Sequence, residues 1–349
     1  MPARSSQGGL DRAAPETQPG PLARVLDGVL EATIVGSFSR LGWLARRSTQ
    51  PWPEPPRLDG RVVVVSGASS GIGRAAALAL GGLGAEVWVL GRDRARTEAV
   101  AGAIRSDGGR AEVALLDVAD GAAVDAFAER FGSAHDCLDG LVHGAGALLS
   151  DYAVSGEGVE LTVATHVLGP YRLTWRLARH LRSAGRSTIV TVSSGGMYTQ
   201  RFDLDRLQMD PEHYEGVRAY ARAKRAQVVL AHEWSRRWSL AGVASYAAHP
   251  GWVDTPGLAS GLPAFTHLGP LLRRPEQGAD TAVWLAAGAA RPPDEREVPA
   301  WPTVESGIWH DRRRRAEYYL PWTRPREANE EQGRRLWDWC VTRTGLGDT

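Results

Sequence analysis

One stretch of the chain constrains its fold more than any other: a β-branched run that leads through closely spaced glycines into a helical pattern. Residues 61–66 are typical of a buried strand, and the helical pattern begins at Gly71. The turn between them, SGASSGIG at residues 66–73, spaces its glycines as GxxxGxG. Such a turn directs the free N–H groups of a helix N-terminus at an anion, so it predicts a phosphate cradle.

Each glycine of this turn has an expected task. Gly67 permits the tight turn, Gly71 lets the backbone approach a pyrophosphate, and Gly73 lets the helix pack closely on the strand. The other side chains of the turn are expected to line the same cofactor site: Ser69, Ser70 and Ile72. The competing interpretation is a glycine-rich connection that holds no ligand, and the strand and helix on either side weaken it.

Strand-like and helical patterns alternate beyond the turn. Strand-like runs recur at residues 86–90, 111–116, 138–143, 188–192 and 243–247. Helical patterns lie between them, at residues 95–104, 122–131, 159–181 and 218–238. Because this alternation requires a parallel sheet with helices on both faces, we predict an α/β fold with a doubly wound sheet of about seven strands.

The first 57 residues have a different character. Residues 1–21 are rich in Pro, Gly and Ser and are predicted to be a disordered lead. Apolar residues then recur at three- and four-residue steps from Leu22 to about Leu44, which predicts one amphipathic helix. The stretch PWPEPP at residues 51–56 predicts a stiff linker, and a domain boundary is expected near Leu58.

The apolar stripe of this N-terminal helix needs a burial partner. The alternatives are the body of its own domain, a second subunit, or a peripheral contact of residues 22–47 with a membrane, where Trp43, Arg46 and Arg47 would meet the headgroups. Asp27 and Glu31 weaken attraction to anionic lipid, so docking on protein is favoured over the membrane.

Charge and cysteine content exclude several classes of partner. With 41 basic and 40 acidic residues, the chain lacks the sustained basic field that binds nucleic acid. Two cysteines provide neither a disulfide framework nor a zinc cluster, so no metal is expected and a reducing cytoplasm fits. No transmembrane helix is predicted, because prolines and glycines interrupt the uncharged stretch at residues 255–272. No secretory signal is predicted either, because no basic run leads into a short apolar core at the N-terminus.

Lys224 is the only lysine among the 41 basic residues. It follows Tyr220 by four positions in a helical pattern, so the ammonium and the phenol share one helix face. We expect the ammonium to lower the pKa of the phenol, which would make Tyr220 a usable acid or base near neutral pH. A YxxxK match alone is common on surface helices.

The end of the second predicted strand bears on the choice of cofactor. Dinucleotide sites that bind NAD place a carboxylate there, whereas this chain has Gly91 followed by Arg92. A guanidinium can bind a 2′-phosphate, so NADP(H) is the predicted cofactor. The competing interpretation is a surface ion pair between Arg92 and Asp93.

From Leu58 to about Ala290, the chain resembles the short-chain dehydrogenase/reductase (SDR) superfamily, and three segments resemble its family member 12 group. The glycine turn and the Tyr220–Lys224 pair carry the resemblance together with Ser194 after the fifth strand. Further matches are Asp117 with Val118, and Pro250-Gly251 with Thr255. The resemblance implies a Rossmann-type domain over residues 58–311 and a tail over residues 312–349.

The resemblance also implies roles. Ser194 would hydrogen-bond a carbonyl oxygen, Tyr220 would exchange the proton, and Lys224 would hold the ribose of the cofactor. The other residues expected to contact the cofactor are Asp117, Val118, Gly144, Ala145, Pro250, Gly251 and Thr255.

Two histidines depart from the family pattern. The family's Asn-Asn-Ala-Gly is here His143-Gly144-Ala145-Gly146, and His166 stands where the family has the asparagine of its catalytic tetrad. An imidazole at position 166 would either hold the water of the proton relay, as asparagine does, or slow that relay.

These observations predict an NADP(H)-dependent oxidoreductase that acts on an apolar carbonyl or secondary alcohol, with a substrate lid near residues 255–272. The alternative is a sensor or scaffold that binds NADP(H) without chemistry. The resemblance also implies a homo-oligomer paired through the helices that begin near Val159 and Arg218.

Overall fold

The structure is a computed structural model that describes residues 20–288 and 307–347. Most of the predicted disordered lead therefore lies outside the described residues. Within them, an eight-stranded sheet has the order β3-β2-β1-β4-β5-β6-β7-β8. The strands are β1 Val62–Ser66, β2 Glu86–Gly91, β3 Arg110–Leu115, β4 Gly140–His143, β5 Ser187–Val192, β6 Val243–Ala248, β7 Ile308–His310 and β8 Arg313–Arg315.

Strands β1 to β7 are parallel, and the strand order reverses between β1 and β4. The predicted doubly wound, Rossmann-type sheet is confirmed. The eighth strand goes beyond the prediction of about seven: β8 returns antiparallel along β7, with Ile308 opposite Arg315. The ligand crevice of such a sheet lies at the carboxyl ends of the strands where the order reverses.

Helices cover both faces of the sheet. In chain order they are α1 Pro21–Glu31, α2 Ile34–Phe38, α3 Arg40–Thr49, α4 Gly71–Gly82, α5 Arg94–Ser106, α6 Gly121–Ala134, α7 Leu161–Val163, α8 Gly169–Arg176, α9 Ala178–Ser183, α10 Gly216–Trp238, α11 Pro256–Gly261, α12 Pro275–Ala286 and α13 Asn329–Thr344. Val62 and Val64 of β1 point into a core with α6, α10 and α13, whereas Val63 and Val65 point into a second core with α4, α5 and α12. This alternation follows from the two-residue period of a strand.

The predicted helix at residues 159–181 is interrupted. After α7 the backbone widens into a π-helical turn, Ala164–Leu168, before α8 begins. Single π turns of this kind occur frequently at functional sites, and this one holds His166. The helix α13 was not predicted, because charged residues interrupt its apolar ones, of which Leu336, Trp337 and Cys340 are buried.

The predicted single N-terminal helix is wrong, because the segment forms the three helices α1, α2 and α3. Thr33 caps α2 by accepting a hydrogen bond from the Gly36 amide at 3.2 Å, and Ser39 caps α3 in the same way from Gly42 at 3.4 Å. Hydroxyl side chains that cap a following helix end the one before it.

The orientation of this segment also differs from the expectation. Asp27 and Arg46 face the body of the protein and are buried. Most of the apolar stripe remains exposed, with Leu22 at 86% and Val25 at 65% of their full accessibility. Arg315 of β8 donates to Asp27 at 2.8 Å. Ion pairs rather than apolar packing therefore hold much of this face.

Candidate active site

A cavity of about 850 Å³ opens at the carboxyl ends of the parallel strands. Its lining contains every residue predicted to bind the cofactor or react, with one exception: Gly67, Ser69, Ser70, Gly71, Ile72, Gly73, Arg92, Asp117, Val118, Gly144, Ala145, Ser194, Tyr220, Lys224, Pro250, Gly251 and Thr255. The exception is His166. The volume of the cavity falls in the range of cofactor and small-ligand sites.

The glycines of the turn occupy positions that larger residues would not fit. Gly67 has a φ of +67°, and a Cβ there would lie 2.5 Å from the Cα of Ala145. A Cβ on Gly73 would lie 2.3 Å from the carbonyl oxygen of Gly67. The first turn of α4 is therefore pressed against the end of β1, which leaves its N-terminal amides facing the cavity.

Charged side chains form the rim beside β2. Arg92 is exposed and lies 3.0 Å from Asp117. The alternative pairing with Asp93 does not occur, because Asp93 accepts from the Arg96 amide at 2.9 Å and forms an ion pair with the Arg96 guanidinium. Arg96 also lines the cavity and was not predicted as a site residue. The rim thus presents two guanidinium groups to the cavity.

Ser194, Tyr220 and Lys224 all line the cavity. Ser194 follows β5 and caps a short 3₁₀ turn, Gly195–Thr199, while the other two residues lie one turn apart on α10. Burial raises the pKa of the Tyr220 phenol, and the neighbouring Ser194 hydroxyl partly opposes that change.

The expectation that Lys224 lowers the pKa of the Tyr220 phenol is wrong. The Lys224 ammonium donates to the carbonyl oxygen of Val192 and to Oε1 of Gln227, both at 2.9 Å. It lies 5.5 Å from the centre of the Tyr220 ring. Burial lowers the pKa of Lys224 to about 7. Sequence spacing predicted the shared helix face, but not the competing acceptors on β5 and on the next turn of α10.

His166 lies behind Tyr220 rather than in the cavity wall. Their ring centres are 5.3 Å apart in an edge-to-face arrangement. Nε2 of His166 lies 2.9 Å from the carbonyl oxygen of Ala147, and burial lowers the pKa of the ring to about 3, so the imidazole is neutral. Nδ1 is buried without a hydrogen-bond partner among the described residues. One ring nitrogen of His166 is therefore left without a partner among the described residues.

His143 ends β4 beneath the cavity. Its Nε2 lies 2.7 Å from the Thr174 hydroxyl, and its ring stacks on Trp234 at 5.6 Å. Burial lowers the pKa of His143 to about 3. The imidazole therefore serves as a neutral packing group. Gly144 follows it, and a Cβ there would lie 2.9 Å from the carbonyl oxygen of Ser66, which explains the need for glycine.

The far end of the cavity has aromatic and aliphatic walls. Segments that are distant in the chain contribute its large side chains: Ile34, Phe38, Leu148, Leu149, Tyr198, Trp252, Leu258, Leu262, Phe265 and Tyr319. Leu258 and Leu262 come from the predicted lid, where Thr255 caps α11 by accepting from the Leu258 amide at 3.1 Å. Ile34, Phe38, Tyr198 and Tyr319 were not predicted as site residues, and no motif marks them.

Comparison with known proteins places this geometry in a family. The family model for short chain dehydrogenase matches residues 61–262. The chain belongs to the short-chain dehydrogenase family. Family membership makes it an oxidoreductase, and the resemblance to the family member 12 group is confirmed by the relatives that follow. The matched region begins after the N-terminal helices and ends within the lid.

Two relatives and one solved structure illustrate the similarity. Dehydrogenase/reductase SDR family member 12 of Bos taurus is 34% identical over 279 residues, covering 79% of this chain and 84% of that protein. A Streptomyces protein, named as a candidate daunorubicin C-13 ketoreductase, is 35% identical over 260 residues, covering 73% of this chain and 85% of that one. A short chain dehydrogenase from Burkholderia cenocepacia, solved with NADP, is 26% identical with a TM-score of 0.57, covering 68% of this chain and 95% of that one.

Across residues 20–288 and 307–347, no helix is long and apolar enough to cross a membrane. Over the same residues, no group of three or more His, Cys, Asp or Glu side chains is placed to hold a metal ion.

Proposed function

We propose that the chain is an NADP(H)-dependent oxidoreductase that transfers a hydride between the nicotinamide and an apolar carbonyl or secondary alcohol. The observation that carries the proposal is the meeting of Ser194, Tyr220 and Lys224 in one cavity with the glycine turn. A nucleotide cradle at one end and a proton donor midway suit a two-substrate hydride transfer.

The residues present fit NADP(H). The amides at the start of α4 face the cavity and would hold the pyrophosphate, and Lys224 would hold the nicotinamide ribose. Arg92 and Arg96 at the rim would bind the 2′-phosphate, which supports NADP(H) over NAD(H). When bound, the cofactor supplies or accepts the hydride.

The protein's own groups would handle the carbonyl oxygen and its proton. The hydroxyl side chains of Ser194 and Tyr220 both line the cavity, where they can orient one oxygen. Because burial raises the pKa of Tyr220, its phenol is protonated at neutral pH and can act as the acid in carbonyl reduction. In this role, His166 is a positioning residue: its ring supports the phenol edge-on, and its free Nδ1 can hold a water.

The substrate class follows from the far end of the cavity. Its walls are aromatic and aliphatic, and the lid over it, residues 255–272, has no Asp, Glu, Lys or Arg. An apolar carbonyl fits this surface better than a sugar does. A relative's name also points to a large ketone, since the Streptomyces protein is named for daunorubicin.

Replacing Tyr220 with Phe tests the proposal. With NADPH and a panel of ketones, quinones and aldehydes, we expect kcat to fall by a factor of about 100 to 10,000, because the acid is removed. The affinity for NADPH should persist. Tyr171→Phe is the matched control, since Tyr171 lies outside the cavity lining and its hydroxyl donates to the carbonyl oxygen of Leu346. Equal turnover by Tyr220→Phe and wild type would refute the mechanism.

The sensor alternative is favoured by one observation, the replacement of the family's asparagine by a buried, neutral His166. A sensor would bind NADPH tightly and reduce none of the panel. The substitution His166→Asn would also leave a sensor without turnover. Gain of turnover in His166→Asn would instead show an oxidoreductase with a slowed relay.

We further infer that the exposed apolar side of α1 to α3 contacts an anionic lipid surface. Val29 and Leu41 are exposed at 61% and 60%, beside Leu22 and Val25. The exposed charges of this segment are the guanidinium groups of Arg24 and Arg47. Both of its carboxylates turn inward, because Asp27 and Glu31 pair with Arg46 at 2.8 Å. This arrangement removes the acidic repulsion that the sequence suggested.

Sedimentation with vesicles tests that contact. The wild type should bind vesicles containing phosphatidylglycerol more strongly than pure phosphatidylcholine. The double variant Val25→Asn, Val29→Asn should lose most of the binding. Leu240→Asn is the control, since Leu240 is 92% exposed in the short 3₁₀ turn after α10. Equal sedimentation of the double variant and the wild type would refute lipid docking. A wild-type dimer that forms without vesicles, and that the double variant but not Leu240→Asn disrupts, would also refute it.

A further inference from the structure

The helix α2 contributes to the candidate active site, although it lies outside the region matched by the family model. Ile34 and Phe38 line the same cavity as Tyr220 and Lys224. Phe38 is 4% exposed, whereas Ile34 is 61% exposed at the mouth. An N-terminal extension that only tethered the protein would have no reason to place an aromatic ring in this wall.

The Phe38 ring packs among the side chains that surround the substrate end. Its centre lies 4.3 Å from His249 in an edge-to-face contact and 5.8 Å from the stacked ring of Tyr198. Trp252 lies edge-on at 6.1 Å. Each of these aromatic contacts fixes the position of the ring, so Phe38 forms a rigid part of the wall.

The backbone on either side of this ring is joined to the loop that follows β6. The carbonyl oxygen of Phe38 accepts from the Trp252 amide at 2.8 Å and from Nε of Arg273 at 3.1 Å. The carbonyl oxygen of Ser37 accepts from Arg273 at 2.9 Å and from Arg46 at 3.1 Å. Hydrogen bonds therefore connect the N-terminal segment directly to the loop that contains Pro250.

A buried ion cluster reinforces this joint. Asp311 lies between the guanidinium groups of Arg46, at 2.7 Å, and Arg273, at 2.6 Å, and all three side chains are at most 1% exposed. The two cations hold the pKa of Asp311 far below its usual range. Arg273 also packs against Gly251, where a Cβ would lie 2.3 Å from its Nε. Removing one charge would leave the others buried and uncompensated.

We propose that the N-terminal segment, residues 21–50, is part of the active site: Phe38 limits the size of the carbonyl substrate, and Arg46 is a positioning residue that holds the Pro250–Gly251 loop through Asp311 and Arg273. The inference rests on the proposed function for its substrate class. It assigns substrate selection to a segment that the family model does not cover.

Binding of two ketones tests the first half. Calorimetry on the NADP⁺ complex compares a small ketone, cyclohexanone, with a bulky one, 9-fluorenone, and needs no turnover. Phe38→Ala should change the ratio of their dissociation constants by a factor of about 10 in favour of binding the bulky ketone. This is the scale of a few methylenes in a pocket. Leu22→Ala, on the exposed side of α1, should leave the ratio unchanged.

A second variant guards against a folding defect. Ile34→Trp adds bulk at the exposed mouth without disturbing the core. It should weaken the binding of 9-fluorenone more than the binding of cyclohexanone. Unchanged ratios in both Phe38→Ala and Ile34→Trp would overturn the assignment, as would failure of the wild type to bind either ketone. Binding without turnover in the wild type would refute the proposed function and leave the wall assignment standing.

The positioning role has its own readout. Arg46→Met should raise the Kd for NADPH and lower kcat in the folded fraction, by a factor of about 5 to 10 each, and Arg46→Lys should restore part of both. The exposed neighbour Arg47→Met is the matched control. If Arg46→Met loses thermal stability but its folded fraction, assayed at low temperature, keeps wild-type Kd and kcat, the cluster is only structural and the positioning role is overturned.

Discussion

The two ends of the cavity are built in different ways. The cofactor end is made of backbone: a glycine turn, a helix N-terminus and the close approach of Gly144 to β1. The substrate end is made of side chains from α2, from the turn after β5, from the lid and from the region after β8. The first depends on local geometry and tolerates almost no added atoms. The second depends on packing and can change size with single substitutions.

The difference predicts where substitutions act. A methyl group added at the cofactor end meets backbone that cannot move away, whereas a ring removed at the substrate end leaves a larger pocket. Backbone-built sites should therefore lose binding abruptly, and side-chain-built sites should change selectivity. Three substitutions test this contrast.

The largest effect is expected for Gly73→Ala. Its Cβ would lie 2.3 Å from the carbonyl oxygen of Gly67, so α4 or the turn must shift. We expect the Kd for NADPH and NADH to rise together by a factor of about 100 or more, with a loss of about 1–3 kcal/mol in the free energy of unfolding. Isothermal titration and denaturant unfolding measure the two quantities.

Gly82→Ala is the matched control for that substitution. Gly82 lies in the same helix, and nothing lies within 4 Å of its added Cβ. It should bind both cofactors as the wild type does and unfold at equal or higher denaturant. A Gly73→Ala protein with wild-type affinity would break the contrast, because the cofactor end would then be adaptable.

The glycine turn of the cofactor end could be predicted from the sequence for a physical reason. Phosphate cradles need glycine at fixed offsets between a strand and a helix, so residues 66–73 carry the information locally. The paired residues Tyr220 and Lys224 are likewise read from a helical spacing of four. The alternation of patterns predicted the parallel sheet, because each strand and helix here is short and bounded by turn residues.

The substrate end could not be predicted, since its residues meet only after folding. Phe38 and Tyr198 are 160 positions apart in the sequence, yet their rings stack at 5.8 Å. The orientation of α1 was also missed. Its stripe indicated apolar burial, but Asp27 is drawn inward by Arg46 and Arg315, which come from elsewhere in the chain.

A smaller effect is expected for Arg92→Ala, at the edge of the cofactor end. Here a side chain, not backbone, would contact the cofactor. NADPH affinity should fall by about 1.5–3 kcal/mol, the scale of a charge-assisted hydrogen bond, while NADH affinity is nearly unchanged. Arg94→Ala, two residues further along the chain and outside the cavity lining, is the control.

The neighbouring Arg96 sharpens this test. If Arg92→Ala loses less than expected, the double variant with Arg96→Ala shows whether the two cations share the phosphate. Equal loss for NADPH and NADH in Arg92→Ala would mean that the pair with Asp117 only supports the fold. Selectivity would then lie elsewhere on the rim.

The smallest effect concerns His143, which lies beneath the junction of the two ends. Because burial lowers its pKa from 6.5 to about 3, the folded protein keeps this imidazole neutral while the unfolded chain protonates it in mild acid. The stability it preserves is therefore complete above about pH 6.5 and is lost as the pH falls toward the folded pKa.

His143→Asn removes this linkage and restores the family's residue. Between about pH 6.5 and 5.5, the wild type should lose about 1 kcal/mol more unfolding free energy than the variant. The exposed His213→Asn is the control. Parallel pH profiles for His143→Asn and wild type would mean that the imidazole reaches water, and the floor of the cavity would then belong with its adaptable end.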